Sequence, residues 1–400
     1  MILLFTSFTA ILHVVMAAAW WQQIIPSVAK VVRDQTPYIL NVTKEVFGDF
    51  YSSSVRELLN PQISTFTPLR NKDLLIDFKD AAIHCDDIYR GVDHLDGHEV
   101  LSIGEDDKPD SVVYFKKDGT IRRFSNTASG TLWVIVRGTE TLDDLLSDLG
   151  WIASITQMES KLLPGDEFEF PTKVAIKAES IFRRLLEYIQ NSEANCSRYP
   201  KKKITRICFT GHSLGGAIAT ALHVLYSSFR DKYSMSIDTG YSFDPPTDRY
   251  APPPCETFTV GAPLVFHSSP LVLLNCPAHR YATSLHNLVY QLDPVPRLLG
   301  PHPLPPYLLL SGVEKFIRDF QLFVDRGNYH PYGNYHILLQ ESRREKLDPN
   351  ILTVPSSEQV LPVLAAFPVN LRYYLYSAAN DHLVIHTVDT IKEYILLHHI

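Results

Sequence analysis

Phe209-Thr210-Gly211-His212-Ser213-Leu214-Gly215-Gly216 sets one serine between two glycines at the GxSxG spacing. A serine on so sharp a strand-to-helix corner needs almost no side chain at 211 and 215, because the backbone doubles back on itself there. The flanks agree with that reading. Ile204, Ile207, Cys208 and Phe209 supply an apolar strand before the corner, and Ala217, Ile218, Ala219, Ala221, Leu222 and Leu225 a helix-forming run after it. The bare pattern is a weak signal in a chain of 400 residues. Strand before, helix after and a further glycine at 216 make it specific, and point to a serine nucleophile. Cys208 itself reads as a small buried hydrophobe.

Working outward, Leu132-Trp133-Val134-Ile135-Val136 reads as a strand earlier in the chain than the serine strand and Phe258-Thr259-Val260 as a strand later in it. Val112-Val113-Tyr114-Phe115 and Ile121-Arg122-Arg123-Phe124 are shorter strand signals, with hairpin chemistry at Lys117-Asp118-Gly119. Residues 141 to 190 read as helix-rich, and a last helix is expected over about Val384 to Leu397. Strand, helix and strand in succession imply parallel pairing and a sheet covered on both faces, an α/β class. Residues 22–92 form a helical lead-in, marked by Phe47, Tyr51, Val55 and Leu58 and then Leu74, Leu75, Phe78, Ala81, Ala82 and Ile83, and 93–400 form the catalytic domain. Proline-rich loops at 245–254 and 301–306 are surface insertions within it.

Composition excludes several classes of function. The 37 basic against 44 acidic side chains give a net charge of −7, which offers no footprint for nucleic acid. Five cysteines, Cys85, Cys196, Cys208, Cys255 and Cys276, form neither a CxxC pair nor a metal-ligand cluster. No metal and no cofactor is expected. Residues 1–21 are a different matter: Ile2 to Trp21 is apolar except for Thr6, Ser7, Thr9 and His13, and Lys30 is the first basic residue. This segment reads as a secretory signal ending near Ala17-Ala18-Ala19, as a membrane anchor, or as an apolar helix docked on the domain. The expected location is the secretory route or a membrane surface, with the cytoplasm as the alternative. The sequons Asn41-Val42-Thr43 and Asn195-Cys196-Ser197 would be glycosylated only on the secretory route.

A serine hydroxyl is a weak nucleophile near neutral pH, so it needs an imidazole to take its proton and a carboxylate to orient that imidazole. On sheets of this hydrolase type the order along the chain is serine, acid, histidine. Asp293 is the first candidate acid, placed after the apolar run Leu288-Val289-Tyr290 and before the stiff Pro294-Val295-Pro296 loop. Asp244 is its rival. For the base, His302, His330, His336, His382, His386, His398 and His399 all follow Asp293, and His382 stands in a polar turn ahead of an apolar helix. Position alone leaves the choice open. For the oxyanion, Leu214 offers the N–H that follows the nucleophile, and Arg137-Gly138-Thr139, at the end of the Leu132 strand, offers a second donor.

Together these residues resemble the class 3 lipase family. Leu132 to Thr139 looks like its oxyanion strand and loop, and Asp144-Leu145-Leu146-Ser147-Asp148-Leu149 like the pattern that follows, with Leu145 where tryptophan is usual. Gly211 to Gly216 matches the nucleophile motif, Val260-Gly261-Ala262-Pro263 the next strand end, and Asp293 to Arg297 the acid-bearing loop. The resemblance implies an α/β-hydrolase-like fold, with a mostly parallel central sheet and helices on both faces. It implies Ser213 as nucleophile, Asp293 as acid, His382 as base, and Thr139 and Leu214 as oxyanion donors. Tyr329-His330-Pro331-Tyr332-Gly333 resembles a loop found in the family between acid and base, which favours His382 over earlier histidines. Phe168 to Val174 departs from the family's Val-His-x-Gly-Phe-like element, and His386 falls where tyrosine is usual.

The implied activity is a serine-dependent hydrolysis of acylglycerols or related glycerolipids at a lipid interface. A lipase-like binding or signalling protein without turnover, and a phospholipase or acyltransferase on the same site, are the alternatives. Leu142, Leu145, Leu146 and Leu149 recur at helical spacing and are expected to form either a lid or an ordinary amphipathic helix.

Overall fold

In a computed structural model of the chain, the described residues are 66–90, 98–105, 108–117, 128–138, 155–159, 167–194, 202–239, 252–267, 277–291, 293, 295–298, 329–339, 350–355, 357–364 and 384–397. In chain order they form β1 (Thr67–Pro68), α1 (Lys72–Arg90), β2 (His98–Glu105), β3 (Lys108–Lys117), β4 (Ala128–Val136), β5 (Ile155–Glu159), β6 (Glu167–Pro171), α2 (Thr172–Ala194), β7 (Lys202–His212) and α3 (Leu214–Thr239). After these come β8 (Cys255–Val260), β9 (Phe266–His267), a 3-10 helix over Pro277–Ser284, β10 (Leu285–Tyr290), α4 (Val295–Leu298), β11 (Tyr329–His330), β12 (Asn334–Leu339), β13 (Asn350–Thr353), α5 (Ser357–Leu364) and α6 (Val384–Leu397). All of them belong to one unit, Val55–Glu341 with Asp348–Ile400.

The serine strand β7 lies in the middle of a nine-stranded sheet ordered β1-β13-β12-β10-β8-β7-β4-β3-β2. Its inner strands β4, β7, β8, β10 and β12 pair in parallel, and antiparallel strands close both edges. This is the α/β-hydrolase-like arrangement, with a mostly parallel centre. Parallel strands buried on both faces read as continuous apolar runs, and Leu132 to Val136 is such a run, each residue at most 1% exposed. Helices cover both faces. On one side α2 and α3 pack Ala178, Phe182, Leu185, Ala217, Ile218 and Leu222 against Val134, Val136, Ile207 and Phe209. The burial of α3 from Gly215 to Ser228 explains why that part of its sequence is apolar on almost every side.

On the other face lie α1 and α6, sharing a core of Leu75, Phe78, Ala82, Trp133, Ile135, Phe258, Val388 and Ile391. Helix α1 starts at an N-cap, where Asn71 Oδ1 accepts the Leu74 N–H at 3.1 Å. Its buried residues Leu75, Phe78, Ala82, Cys85 and Ile88 recur every third or fourth position and turn one stripe to the sheet. Polar pairs then fix its register. Arg206 on β7 holds Asp77 through two bonds of 2.7 Å each and reaches Glu256 at 2.8 Å, while Lys116 on β3 pairs with Asp80.

Between β4 and α2 the structure differs from the helix-rich expectation. Ile155–Glu159 and Glu167–Pro171 form an antiparallel ribbon, and among the described residues of this stretch helix begins at Thr172. Glu167-Phe168-Glu169-Phe170 alternates acidic and aromatic residues, a period of two that signals a strand. Phe170 is fully buried against Phe266. The apolar segment 1–21, the rest of the lead-in before 66, the Ile121 strand and the Leu142 helix lie outside the described residues. Among the described residues no helix is long and apolar enough to cross a membrane.

Candidate active site

Parallel pairing brings the C-terminal ends of the central strands to one edge. Val136, Gly211, Thr259, Asn287 and Tyr335 form a single row across β4, β7, β8, β10 and β12, and the candidate residues follow just beyond it. Ser213 stands at the β7–α3 corner with φ +55°, in the left-handed region that non-glycine residues avoid. Its N–H donates to Val260 O at 3.0 Å, and its own carbonyl accepts from Gly216 at 2.9 Å as the helix begins. The residue is 1% exposed, and among the described residues its Oγ has no hydrogen-bond partner.

The glycines are there for close approach. A Cβ on Gly211 would stand 2.3 Å from the carbonyl of Gly215, and one on Gly215 would stand 2.3 Å from Val136 O and 2.8 Å from Gly138 N. Helix α3 therefore begins pressed against the end of β4, with backbone touching backbone. Leu214 is the first residue of α3, so its N–H is among the donors that a helix start leaves without an intrahelical acceptor. The positive end of the helix favours negative charge at this spot. Thr139, the other candidate donor, is the residue after Gly138 and lies outside the described residues.

Asp293 follows β10 by way of a second left-handed residue, Gln291, at φ +40°. The Gln291 N–H donates to Leu338 O on β12 at 2.8 Å, and the Asp293 N–H turns back to Tyr290 O at 2.8 Å. The carboxylate is 2% exposed, and its Oδ1 accepts the Val295 N–H at 3.0 Å at the start of α4. Strands β7 and β10 are separated only by β8, so Ser213 and Asp293 leave the same sheet edge from strands one place apart. Beneath them Thr259 Oγ1 donates to Asn287 Oδ1 at 2.8 Å, and Asn287 Nδ2 to Tyr332 O at 2.8 Å. This chain ties the acid strand to the loop before β12.

The histidines separate clearly. His336 sits in mid-β12, 2% exposed, between His286 at 3.2 Å and Thr353 at 3.1 Å, with its ring edge-on to Phe78. Burial lowers its pKa to about 3, with His286 adding to the effect, and the ring is a core residue rather than a site base. His330 lies on β11, paired with β9. His386 falls in the first turn of α6. His382, His302 and Asp244 lie outside the described residues. One residue near the site was not singled out from sequence. His212, next to the nucleophile, places Nδ1 3.2 Å from the hydroxyl of Tyr89, and Tyr89 belongs to the lead-in, 123 residues upstream.

The family model described as Lipase (class 3) matches residues 133–302. That segment is similar to the class 3 lipase family. Lipases hydrolyse lipid esters, and the matched stretch contains the end of β4 from Trp133, the nucleophile corner and Asp293; His382 lies beyond it. No curated protein matches the chain. Among solved structures, a Rhizomucor miehei lipase in complex with its propeptide is 12% identical, with 76% of this chain and 84% of that chain covered and a TM-score of 0.40. The lipase from Rhizopus microsporus var. chinensis is 16% identical over 76% and 90% of the two chains, with a TM-score of 0.41. Lip2 lipase from Yarrowia lipolytica is 12% identical over 76% and 93%, with a TM-score of 0.42.

Proposed function

We propose that this chain is a serine-dependent carboxylic ester hydrolase that acts on acylglycerols or related glycerolipids through an acyl-enzyme. The observation that carries the reading is Ser213. Its backbone is strained, its Oγ is buried and, among the described residues, unpartnered, and it leaves the same sheet edge as Asp293. A buried hydroxyl without a partner is costly, and strain of this kind persists where function requires it.

In the proposed mechanism Ser213 Oγ attacks the ester carbonyl as His382 takes its proton, with Asp293 holding the imidazole in the right tautomer. The N–H groups of Leu214 and Thr139, with the Thr139 hydroxyl, hold the oxyanion. The imidazolium then protonates the departing alcohol, and water activated by the same ring hydrolyses the acyl-enzyme. Every step is acid–base and nucleophilic chemistry that side chains supply. Residues 2–21 are proposed to bring the enzyme to a membrane or into the secretory route, and fractionation of the chain with and without them tests that. A fluorophosphonate probe should label the wild-type protein and fail on Ser213→Ala. Absence of labelling in folded wild type would overturn the serine mechanism. His382→Ala should lower ester turnover by about 10⁴-fold or more; near-normal turnover would move the base to His386.

A further inference from the structure

The Val260–Gly261 peptide at the end of β8 touches both strands that carry the candidate chemistry. Its carbonyl accepts the Ser213 N–H at 3.0 Å, and its N–H donates to Leu288 O on β10 at 2.9 Å. A trans peptide is planar, so its C=O and N–H point in opposite directions and move as one body. The backbone of Ser213 and the strand that leads to Asp293 are therefore joined through a single rigid unit. Gly261, at φ +56°, turns the chain away directly afterwards, in the left-handed region open to glycine.

A buried side-chain pair lies one residue before that peptide. Thr259 and Asn287 stand directly opposite each other on β8 and β10, and Thr259 Oγ1 donates to Asn287 Oδ1 at 2.8 Å. Asn287 Nδ2 donates in turn to Tyr332 O at 2.8 Å, so the amide is engaged at both ends and cannot turn without losing a buried bond. The next residue of that loop presses on it, since a Cβ on Gly333 would stand 3.1 Å from Asn287 Nδ2. The β8–β10 ladder ends just beyond, at Val260 and Leu288. Backbone bonds resist sliding least where a ladder stops, and the pair sits at that open end.

We infer that the Thr259–Asn287 pair positions Asp293 against Ser213, by fixing the last stretch of β10 to the β8 peptide that holds the nucleophile. The inference rests on the proposed serine mechanism, in which nucleophile and acid serve one imidazole. Ser213 is also held by the start of α3 and by the glycine contacts at its corner. When the pair is cut, it is therefore the acid strand that shifts. A displacement of about 1 Å in such an arrangement costs on the order of 100-fold in rate.

The test is Thr259→Val in the full chain, which keeps the branched shape and leaves Asn287 Oδ1 without its donor. On a soluble ester kcat per folded molecule should fall about tenfold, with KM unchanged and the melting temperature close to wild type. Thr259→Ser, which restores the donor, should return kcat to within about twofold. In the Asp293→Asn background Thr259→Val should lower kcat by no more than about twofold, because an acid without its charge no longer depends on its placement. A wild-type kcat in Thr259→Val overturns the inference, and labelling of the wild type by the fluorophosphonate then leaves the serine mechanism standing. An equal fall in both backgrounds, a Thr259→Ser as slow as Thr259→Val, or a Thr259→Val chain that does not fold overturns it too, because the pair then serves structure alone. A wild type that takes no probe overturns the mechanism and the inference with it.

Discussion

Two strand exits at the same sheet edge share an unusual feature and use it differently. Among the described residues Ser213 after β7 and Gln291 after β10 are the non-glycine residues with positive φ. At the first exit the strained residue is the candidate nucleophile itself. At the second, the strained residue is a relay: Gln291 turns the chain so that Asp293, two positions on, faces back to the edge. The difference follows from what comes next. A 26-residue helix starts directly after Ser213, so the turn must be completed in one residue between glycines. After Gln291 the chain has room, and a backbone bond to Tyr290 O with an Asx-type bond to Val295 N finishes the turn. Strain is placed where the direction changes, and only at β7 does that coincide with the chemistry.

Asp293→Asn probes the second exit most sharply. Asparagine keeps an oxygen to accept from Val295 N, so the fold should survive, but it removes the charge that would stabilise an imidazolium. Turnover should drop by about 10⁴-fold with an unchanged urea midpoint. Normal turnover would mean that the relay carries structure only, and that the two exits are not parts of one site. At the first exit Gly215→Ala drives a Cβ into Val136 O and the Arg137–Gly138 backbone, at 2.3 and 2.8 Å. Backbone atoms cannot swing aside as a side-chain end can, so a loss of about 3 kcal/mol is expected by chemical denaturation.

The body of the sheet should respond to acid whatever is done at the exits. His223, fully buried, bonds Tyr281 O at 2.9 Å and Thr257 Oγ1 at 2.9 Å, and burial lowers its pKa to about 4; burial takes His286 to about 4 and His336 to about 3. These values lie below the ordinary 6.5, so between 6.5 and about 4 the unfolded chain binds more protons than the native one. Their contribution to stability is complete above 6.5 and is lost as the pH falls towards 4. The melting temperature should decline over that window, in the wild type and in Asp293→Asn alike. A flat profile would mean that these rings are not held neutral.

The first exit was legible in the sequence because its constraint is steric and local: glycines at fixed offsets, an apolar strand before them and an apolar helix after. The central strands and the closing helix were legible for the same reason, through periodicity. Asp293 was picked out by order along the chain and by its place between an apolar run and a proline-stiffened loop, since Asp-Pro by itself reads as an ordinary turn, and no residue type announces the left-handed Gln291. The β5–β6 ribbon was missed because its acidic–aromatic alternation stood inside a stretch read as helical. The Tyr89–His212 contact was not legible because it depends on α1 packing along β7, a tertiary fact spread over Asp77, Cys85, Arg206 and Thr210.

The smallest effect bears most directly on the comparison itself. Gln291→Ala and Gln291→Gly both delete the buried side-chain amide, so whatever that amide contributes is lost equally from each. What separates them is the backbone. At an ordinary strand or helix position glycine would be the less stable of the two by about 0.5–1 kcal/mol, because its unfolded chain has more freedom to lose. At φ +40° the sign should reverse, since alanine's Cβ crowds the following carbonyl in the left-handed region, by about 1 kcal/mol. Urea unfolding of the pair reads that difference directly. Alanine proving the more stable would show that Gln291 bears no backbone strain, and would leave Ser213 as the one strained exit of the two.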